Sequence, residues 1–139
     1  MMMVRCYLGP SLIEGLGVFT ARPIKKGALV WLYDPRFDTS YFLEEVEKAP
    51  SHFREFLERY TYEHPTDPDR VVLDCDEGRF MNHSEGANVD LTDPARGIAT
   101  RNIAADEELT CDYAHFTQGL LVFQPSRHHI GTRMGVAAE

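Results

Sequence analysis

RFMNHS, residues 79–84, places a guanidinium, two apolar side chains, an amide, an imidazole and a hydroxyl in six consecutive positions. Asn82-His83-Ser84 alone is typical of a turn, because short polar side chains hydrogen-bond to nearby backbone groups. Two further motifs accompany it, Gly15-Leu16-Gly17 before it and Asp106–Tyr113 after it. Each of these is a weak signal by itself. Their order along the chain, with strand-forming segments between them, makes the combination specific.

Short apolar segments rich in strand-forming residues dominate the chain. The predicted strands are 18–21, 28–33, 71–73, 88–91, 97–100 and 108–111. Turn residues separate them, which favours small antiparallel sheets over an alternating βαβ array. One helix is predicted in residues 51–62, where Phe53, Phe56, Leu57 and Tyr60 recur on one helical face. Ser51 is its expected N-cap, and residues 41–48 are expected to form a shorter helical turn.

The charge of the chain is concentrated in one segment. Residues 38–77 contain twelve acids and four bases, so this segment accounts for the whole net charge of −8. A phosphate-binding surface needs clustered Lys and Arg, so direct nucleic-acid binding is not expected. An acidic run is often only a solvated face, but its confinement to one segment indicates a surface that attracts a cationic partner.

Length and composition indicate one globular domain: 139 residues, of which 43% are hydrophobic and 26% charged. No apolar run approaches the roughly 18 residues of a membrane span. The start, MMMVRCYLGP, lacks the apolar core of a signal peptide, which favours an intracellular protein. Such a protein would be cytoplasmic in a bacterium and chromatin-associated in a virus or eukaryote. Cys6, Cys75 and Cys111 are widely spaced and predict reduced, mostly buried thiols rather than disulfides or a zinc site.

Taken together, the motifs resemble the SET domain family of protein lysine methyltransferases over about residues 10–115. The matching residues are Gly15-Leu16-Gly17-Val18-Phe19 with Ile24 and Lys26-Gly27, then RFMNHS with Asn88, then Ile103 and Asp106–Tyr113. The resemblance implies a mainly β SET fold with a short helical insert and small antiparallel sheets. It also implies a C-terminal motif threaded under a loop, like a pseudoknot. The expected bounds are a SET domain at 5–116, an acidic helical insert at about 38–70, and a partly flexible C-terminal extension at 117–139.

The resemblance implies S-adenosylmethionine as cofactor, S-adenosylhomocysteine as its product, and no metal. The implied cofactor-binding residues are Gly15, Leu16, Gly17, Asn82, His83 and Tyr113. Glycines let the main chain approach a ligand closely, although alone they would equally fit a tight turn before a strand. Asn82 and His83 are implied to hydrogen-bond the amino-acid and adenine parts of the cofactor. Tyr113 is the implied catalytic residue, at the point where the methyl group meets the lysine amine.

The implied channel for the substrate lysine is formed by Tyr33, Leu91, Cys111 and Tyr113. Tyr33 matches the tyrosine of the family's E-Y-x-G stretch, although Leu32 replaces the acid and Pro35 the glycine. Many family members carry an aromatic residue at the position of Cys111, where it limits how many methyl groups are added. The smaller thiol therefore predicts multiple methylation. The implied substrate is a basic protein or peptide, such as a histone, histone-like or ribosomal protein, attracted by the acidic segment.

The chain departs from the family pattern in three further places. Glu85-Gly86-Ala87 fills the place of a Cys-x-Pro, and Asp106 replaces a turn glycine, which Asp tolerates well. No Cys follows Cys111, so the zinc-binding cysteines that often close the channel are absent from this sequence. A lid would then come from Phe116–Phe123, from a second subunit in a homodimer, or from neither.

Two other classes of function stay open at this stage. One is a SET-like module that recognises a basic peptide without turnover. The other is a hydrolase, because Cys111, His83 and Asp112 have the residue types of a nucleophilic triad. Only the geometry of the fold can establish such a triad.

Overall fold

Residues 1–115 are the part of the chain described by this structure, a computed structural model. Its strands are β1 (Cys6–Pro10), β2 (Leu16–Thr20), β3 (Leu29–Leu32), β4 (Thr39–Phe42), β5 (Thr61–Glu63), β6 (Arg70–Leu73), β7 (Asn82–His83), β8 (Val89–Asp90), β9 (Arg96–Ala99) and β10 (Glu108–Cys111). The helices in this range are α1 (Leu43–Lys48) and α2 (Ser51–Tyr60), and 3-10 turns span Glu77–Phe80 and Tyr113–His115. The predicted extension at 117–139 and the candidate lid Phe116–Phe123 lie outside the described residues.

The larger sheet of the described residues has seven strands, in the order β1-β2-β10-β8-β9-β3, with β7 also paired to β10. Leu109, Thr110 and Cys111 are all buried, so β10 is covered on both faces, as a central strand requires. It pairs antiparallel with β2 but parallel with β7 and β8. The mainly β architecture is therefore confirmed for these residues. Six of the eight strand pairings among the described residues are antiparallel, as expected for mostly antiparallel sheets, and the two parallel pairings are those of β10 with β7 and β8.

The predicted acidic insert forms a second unit of structure. Strands β4, β6 and β5 make a three-stranded antiparallel sheet within residues 39–73, and α1 and α2 lie between β4 and β5. The insert is therefore helical, as predicted, but also carries strands. Pro50, not Ser51, occupies the N-cap of α2, and no side chain caps the helix there. Ser51 is its first helical residue, so the expected cap is wrong by one position.

Two hydrophobic cores hold these sheets. The main core lies against the large sheet and includes Val18, Val30 and Leu109, each with no exposed surface. Burial of one such side chain is worth about 1.5–3 kcal/mol. The second core joins α1, α2 and β6 through Val46, Leu57 and Val71. The predicted apolar face of α2 is only partly covered, since Phe53 and Phe56 each remain 37% exposed.

Two further predictions concern single positions. Asp106 adopts a φ of 63°, the left-handed region, which explains how it can stand where a turn glycine is common.

The three thiols are free, as predicted, but they are not mostly buried: Cys111 is buried, Cys6 is half-buried and Cys75 is exposed.

Candidate active site

The three motifs meet at strand β10. In the parallel pairing of β7 with β10, Asn82 lies opposite Thr110 and His83 opposite Cys111. On the other side of β10, Leu109 lies opposite Val18, which follows the glycine motif. A residue pattern spread over most of the chain is thereby gathered around one short strand.

Asn88 strengthens this junction from the loop after RFMNHS. It is 2% exposed, its amide nitrogen donates to the backbone oxygen of Glu108 at 2.8 Å, and its amide oxygen accepts from the backbone N–H of Thr110 at 2.9 Å. Both polar ends of a buried side chain are thus satisfied by β10. The departure at residues 85–87 leaves this link between the second and third motifs in place.

The side chain of Asn82 holds the glycine motif. Its amide nitrogen lies 3.1 Å from the backbone oxygens of Glu14 and Leu16, and 2.9 Å from Oε1 of Glu108. Ser11 Oγ donates to the same carboxylate, at 2.9 Å from Oε1. The amide nitrogen of Asn82 therefore shapes the predicted cofactor surface by tying the loop to β10.

The two glycines of this loop are needed for different reasons. Gly15 has a φ of +49°, which side chains rarely adopt, and a Cβ there would meet no atom within 4 Å. At Gly17 a Cβ would lie 2.2 Å from Oε1 of Glu108. Gly15 therefore leaves open main chain next to Asn82 and the 47%-exposed Leu16. An accessible backbone cradle of this kind suits a small cofactor approached by main-chain groups.

His83 holds the backbone at the start of the 3-10 turn Tyr113–His115. Its Nδ1 accepts the backbone N–H of Tyr113 at 3.1 Å, so this nitrogen carries no proton. The 3.6 Å approach of the same nitrogen to Asp112 Oδ1 is therefore not an ion pair. The imidazole also contacts the Tyr113 ring, with centroids 5.3 Å apart. His83 thus positions Tyr113, and its own ring remains partly exposed.

Tyr113 is also anchored through its hydroxyl. The hydroxyl donates to the backbone oxygen of Met81 at 2.7 Å, so the second motif holds both ends of the residue. Burial, followed by the nearby Cys111 and Glu14, raises the pKa of Tyr113 above its usual value. The phenol therefore stays protonated at neutral pH and does not act as a phenolate base.

A pocket of about 60 Å³ lies beside Tyr113. Three of the four predicted channel residues line it, namely Leu91, Cys111 and Tyr113, together with the aromatic residues Trp31, Tyr60 and Tyr62. A single water needs roughly 10–15 Å³ on this measure, so the pocket accommodates a group of several heavy atoms. Tyr113 therefore joins this aromatic pocket to the second motif through its contacts with His83 and Met81.

Tyr33, the fourth predicted channel residue, does not line this pocket. Its hydroxyl lies 3.0 Å from Nε2 of His64, which belongs to the insert. The Nδ1 of His64 accepts the backbone N–H groups of Thr66 and Asp67, at 3.2 and 3.1 Å. The ring proton must then be on Nε2, so His64 donates to Tyr33. The insert thereby fixes the orientation of the Tyr33 hydroxyl.

Cys111 lacks the properties of a nucleophile. Burial raises the pKa of its thiol well above the usual value, and the nearby Asp112 adds to this effect. The nucleophilic form of cysteine is the thiolate, which this environment disfavours. The nitrogen of His83 that faces Asp112 is occupied by the backbone of Tyr113. The geometry therefore gives no support to a hydrolytic triad.

Sequence reasoning missed several lining residues. Trp31 and Asp74 line the pocket, and Asp74 is only 4% exposed, although it was counted among the surface acids. A signal was present: Asp74 directly follows the apolar run Val71-Val72-Leu73. An acid adjoining a buried strand indicates a carboxylate that faces the interior or a site.

The sequence pattern of the SET domain matches residues 15–114. This covers most of the chain and nearly all of the described residues, so the protein belongs to the SET domain family. Comparison with curated proteins found no match.

Solved structures share this fold. One, a Plasmodium falciparum protein named as a histone methyltransferase, has a TM-score of 0.59 at 24% identity, covering 86% of this chain and 98% of the other. A humanized mutant of Polycomb Repressive Complex 2 from Chaetomium thermophilum, bound to the inhibitor GSK126, gives 0.61 at 22% identity over 84% of this chain. An apo form of that complex with two mutations in Ezh2 gives 0.62 at 23% identity over 83%. In both complexes the match spans 16% of the longer chain.

Within residues 1–115, no helix is long and apolar enough to cross a membrane. The same residues contain no group of three or more His, Cys, Asp or Glu side chains arranged to hold a metal ion.

Proposed function

We propose that this protein is an S-adenosylmethionine-dependent protein lysine N-methyltransferase that acts on a basic protein or peptide, such as a histone, histone-like or ribosomal protein. One observation carries the proposal. Tyr113 lines an aromatic pocket and is held by His83 and Met81, which belong to the same motif whose Asn82 holds the loop at Gly15. A reaction that transfers a group from a cofactor to a side chain needs two neighbouring sites, one for the cofactor and one for the side chain.

The cradle supports the choice of cofactor. Gly15 and Leu16 leave accessible main chain beside Asn82, which holds this loop by hydrogen bonds, and the nearby sequence neighbour His83 is exposed; these features support binding of S-adenosylmethionine here. When bound, this cofactor supplies a methyl group on a sulfonium, and S-adenosylhomocysteine is left once a lysine amine has taken the methyl. Because the donor is already activated, the protein has to contribute mainly alignment, which can lower a barrier by roughly 7–11 kcal/mol.

The residues around the pocket supply that alignment. The Tyr113 hydroxyl, fixed by Met81, is a protonated dipole that can orient a methyl group through weak CH···O contacts. The aromatic walls exclude water from an entering amine, and removal from water favours the neutral, nucleophilic form of that amine. The buried Cys111 is small, so the pocket leaves room for an amine that already carries methyl groups.

The insert supports a basic substrate. Six of its acids are exposed: Glu44, Glu45, Glu47, Glu55, Glu58 and Asp69. Two others, Asp38 and Asp74, are buried and add nothing to this acidic face. Charges on the surface are screened beyond about 8 Å at physiological salt, so the acidic face would mainly raise the rate of encounter.

The decisive experiment follows labelled methyl transfer from S-adenosylmethionine into a panel of basic proteins. With the wild type we expect label in lysine, and with Tyr113→Phe a fall of about 100-fold, because the reacting groups lose their alignment. Tyr7→Phe is a matched control, since Tyr7 also donates its hydroxyl, to Asp106 at 2.7 Å, but lies on β1 away from the pocket. Equal activity of Tyr113→Phe and wild type would refute the role of Tyr113, and no calorimetric binding of cofactor would refute the enzyme.

A second candidate is a SET-like module that recognises a basic peptide without turnover. The aromatic pocket and the acidic face favour it, because neither needs a cofactor to bind a cation. Peptide binding without any methyl transfer, in the presence of bound cofactor, would identify this function.

We also propose a homodimer, in which a second subunit covers the pocket. Sedimentation of the intact chain at active concentrations tests it, and a monomer that transfers methyl groups would rule it out.

A further inference from the structure

Glu108, the first residue of β10, carries a carboxylate to which the proposed mechanism assigns no role. Its Oε1 accepts the Ser11 hydroxyl at 2.9 Å and the side-chain N–H of Asn82 at 2.9 Å, and its Oε2 lies 3.0 Å from the same hydroxyl. Both donors are neutral groups, and hydrogen bonds to an ionised acceptor are about twice as strong as those between neutral groups. Glu108 is therefore a firm point of attachment on the central strand.

Ser11 is the residue through which Glu108 reaches the loop that precedes β2. It is 6% exposed, its Oγ accepts the backbone N–H of Ile13 at 2.9 Å, and its own N–H donates to the backbone oxygen of Gly15 at 2.9 Å. These two bonds close residues 11–15 into a compact turn, and the hydroxyl proton of Ser11 goes to Glu108. The turn that carries Gly15 is thereby attached to β10.

Glu108 also helps to decide which end of the Asn82 amide faces this loop. The groups around that end are the backbone oxygens of Glu14 and Leu16 and the carboxylate of Glu108. All three can only accept hydrogen bonds, so the amide presents its nitrogen to them and turns its oxygen away. Glu108 is the charged one of the three acceptors, and it alone of the three belongs to β10.

The carboxylate packs directly against the backbone at Gly17. A Cβ at Gly17 would lie 2.2 Å from Oε1 of Glu108 and 2.7 Å from its carboxyl carbon. This leaves no room for a water molecule between the two residues. The distance between the loop and the central strand is therefore set by direct contact as well as by hydrogen bonds.

We infer that Glu108 is a positioning residue of the candidate cofactor site, which acts through Ser11 and Asn82. Its hydrogen bonds hold the loop against β10 and keep the Asn82 amide in one orientation. A ligand group that meets the Asn82 oxygen must then be a hydrogen-bond donor. That this ligand is S-adenosylmethionine rests on the proposed function, whereas the hydrogen bonds themselves form without a ligand.

The first measurement concerns the free protein. In heteronuclear NMR spectra we expect the side-chain amide protons of Asn82, identified by their loss in Asn82→Ala, to exchange slowly with water. Glu108→Met keeps a side chain of similar size without a comparable acceptor, and it should raise this exchange rate about tenfold. Glu108→Gln keeps an acceptor oxygen, so its exchange rate should stay within about threefold of wild type.

The second measurement is calorimetric binding of S-adenosylhomocysteine to the intact chain. We expect Glu108→Met to weaken binding about tenfold, because the loop and Asn82 lose their common attachment, and Glu108→Gln to stay within about threefold of wild type. Glu107→Met is the matched control. Its neighbouring carboxylate instead pairs with Arg101 and accepts the backbone N–H of Ala104 at 2.9 Å, so this variant should bind as wild type does.

The comparison of Gln with Met separates positioning from bulk packing, since both fill the same space and only Gln accepts a hydrogen bond. Equal binding by wild type and Glu108→Met, the same loss in Glu107→Met, or no rescue by Gln would overturn the role of Glu108. If Glu108→Met does not fold, the wild type decides, because Asn82 protons that exchange as fast as those of exposed amides contradict the inference.

The outcome is separable from that of the proposed function. Binding of S-adenosylhomocysteine that is the same in all variants refutes the role of Glu108 and leaves the enzyme in place. No binding by the wild type refutes the cofactor site and, with it, the role of Glu108 there, even where the Asn82 protons exchange slowly.

Discussion

The loop at Gly15–Gly17 and the pocket beside Tyr113 are two sides of the candidate site that are built differently. On one side, the Gly15–Gly17 loop exposes main chain whose shape depends on hydrogen bonds from Asn82 and on the absence of side chains. On the other, the pocket is made of side chains from distant strands around a buried carboxylate. A substitution in the glycine loop alters the path of the backbone, so we expect it to have a large effect. A substitution around the pocket alters contacts or charge, so we expect a smaller effect that varies with the residue changed.

The largest effect is expected for Gly17→Ala. The new Cβ would lie 2.2 Å from Glu108 Oε1, and Glu108 can move away only by leaving Ser11 and Asn82. We expect methyl transfer to fall by about 100-fold through misplacement of the cradle. Calorimetry with S-adenosylmethionine should show the matching loss of affinity.

Gly86→Ala is the control for that substitution, because a Cβ there would meet only Ser84 Oγ, at 3.9 Å. In a Glu108→Ala background, Gly17→Ala should cost little more, since the clash has gone. Full additivity of the two substitutions would show that the clash is not the cause.

The pocket side predicts an effect of pH on stability. The pKa of Asp74 is raised from 3.8 to about 6, so between these values the folded state holds a proton that the unfolded state has lost. The free energy of unfolding should therefore fall as pH rises through this window, by up to about 3 kcal/mol for a two-unit difference in pKa.

Urea unfolding of wild type and Asp74→Asn at pH 4 and pH 7 measures this contribution. The difference between the two proteins should change with pH in favour of the variant at pH 7. Parallel stability curves would mean that Asp74 is not the group responsible.

A moderate effect is expected where the insert touches Tyr33. His64→Ala removes the donor to the Tyr33 hydroxyl, a loss worth about 0.5–1.5 kcal/mol, or roughly 3–10-fold in rate. Because Tyr33 does not line the pocket, we expect a shift in the ratio of methylated products with KM nearly unchanged. Mass spectrometry of the product peptide gives that ratio.

Tyr33→Phe provides the background that tests this path. If His64 acts through Tyr33, His64→Ala should have no further effect in Tyr33→Phe. An equal effect in both backgrounds would assign His64 a role in holding its own loop instead.

The smallest effect concerns the acidic face. Changing Glu44, Glu45 and Glu47 to Gln should lower kcat/KM for a basic peptide by about 2–3-fold at low salt and reduce its salt dependence. Glu85→Gln with Asp93→Asn is the control, since both residues are exposed and lie outside the insert. A salt dependence that is the same in all three proteins would remove the acidic face from substrate encounter.

The cradle could be predicted from the sequence because each of its parts is contiguous in the chain. The loop at Gly15–Gly17 needs residues without side chains, and Asn82–His83 has the polar pattern of a turn. The order of these motifs along the chain resembles that of one family. The pocket could not be predicted in the same way. Trp31, Tyr62 and Asp74 come from β3, from β5 and from the end of β6, and these strands belong to two sheets. No hydrophobic periodicity in the sequence indicates that residues from these separate strands lie together.

The strands divide in the same way, into those that the sequence predicts and those that it does not. Strands β2, β3, β6, β8, β9 and β10 were predicted within a few residues, whereas β1, β4, β5 and β7 were not. β1 ends in Gly9 and Pro10, and β4, β5 and β7 have two to four residues with polar members, so these four strands leave no clear alternation. The parallel pairing of β7 with β10 depends on chain path rather than local pattern. Asp74 was misread as a surface charge for the same reason, since burial is a property of the assembled sheets.

The central position of β10 has a consequence for how the protein is made. Residues 108–111 leave the ribosome after every other strand of the described part, yet they lie between β2 and β8 in the middle of the larger sheet. Until they arrive, β2 and β8 are each exposed along one edge, which is a template for association with other chains. Pairings so distant in sequence also form slowly. We therefore expect a nascent chain to need protection from aggregation until β10, the last strand of the described residues, has inserted, and only then is Tyr113 carried to its place beside Met81.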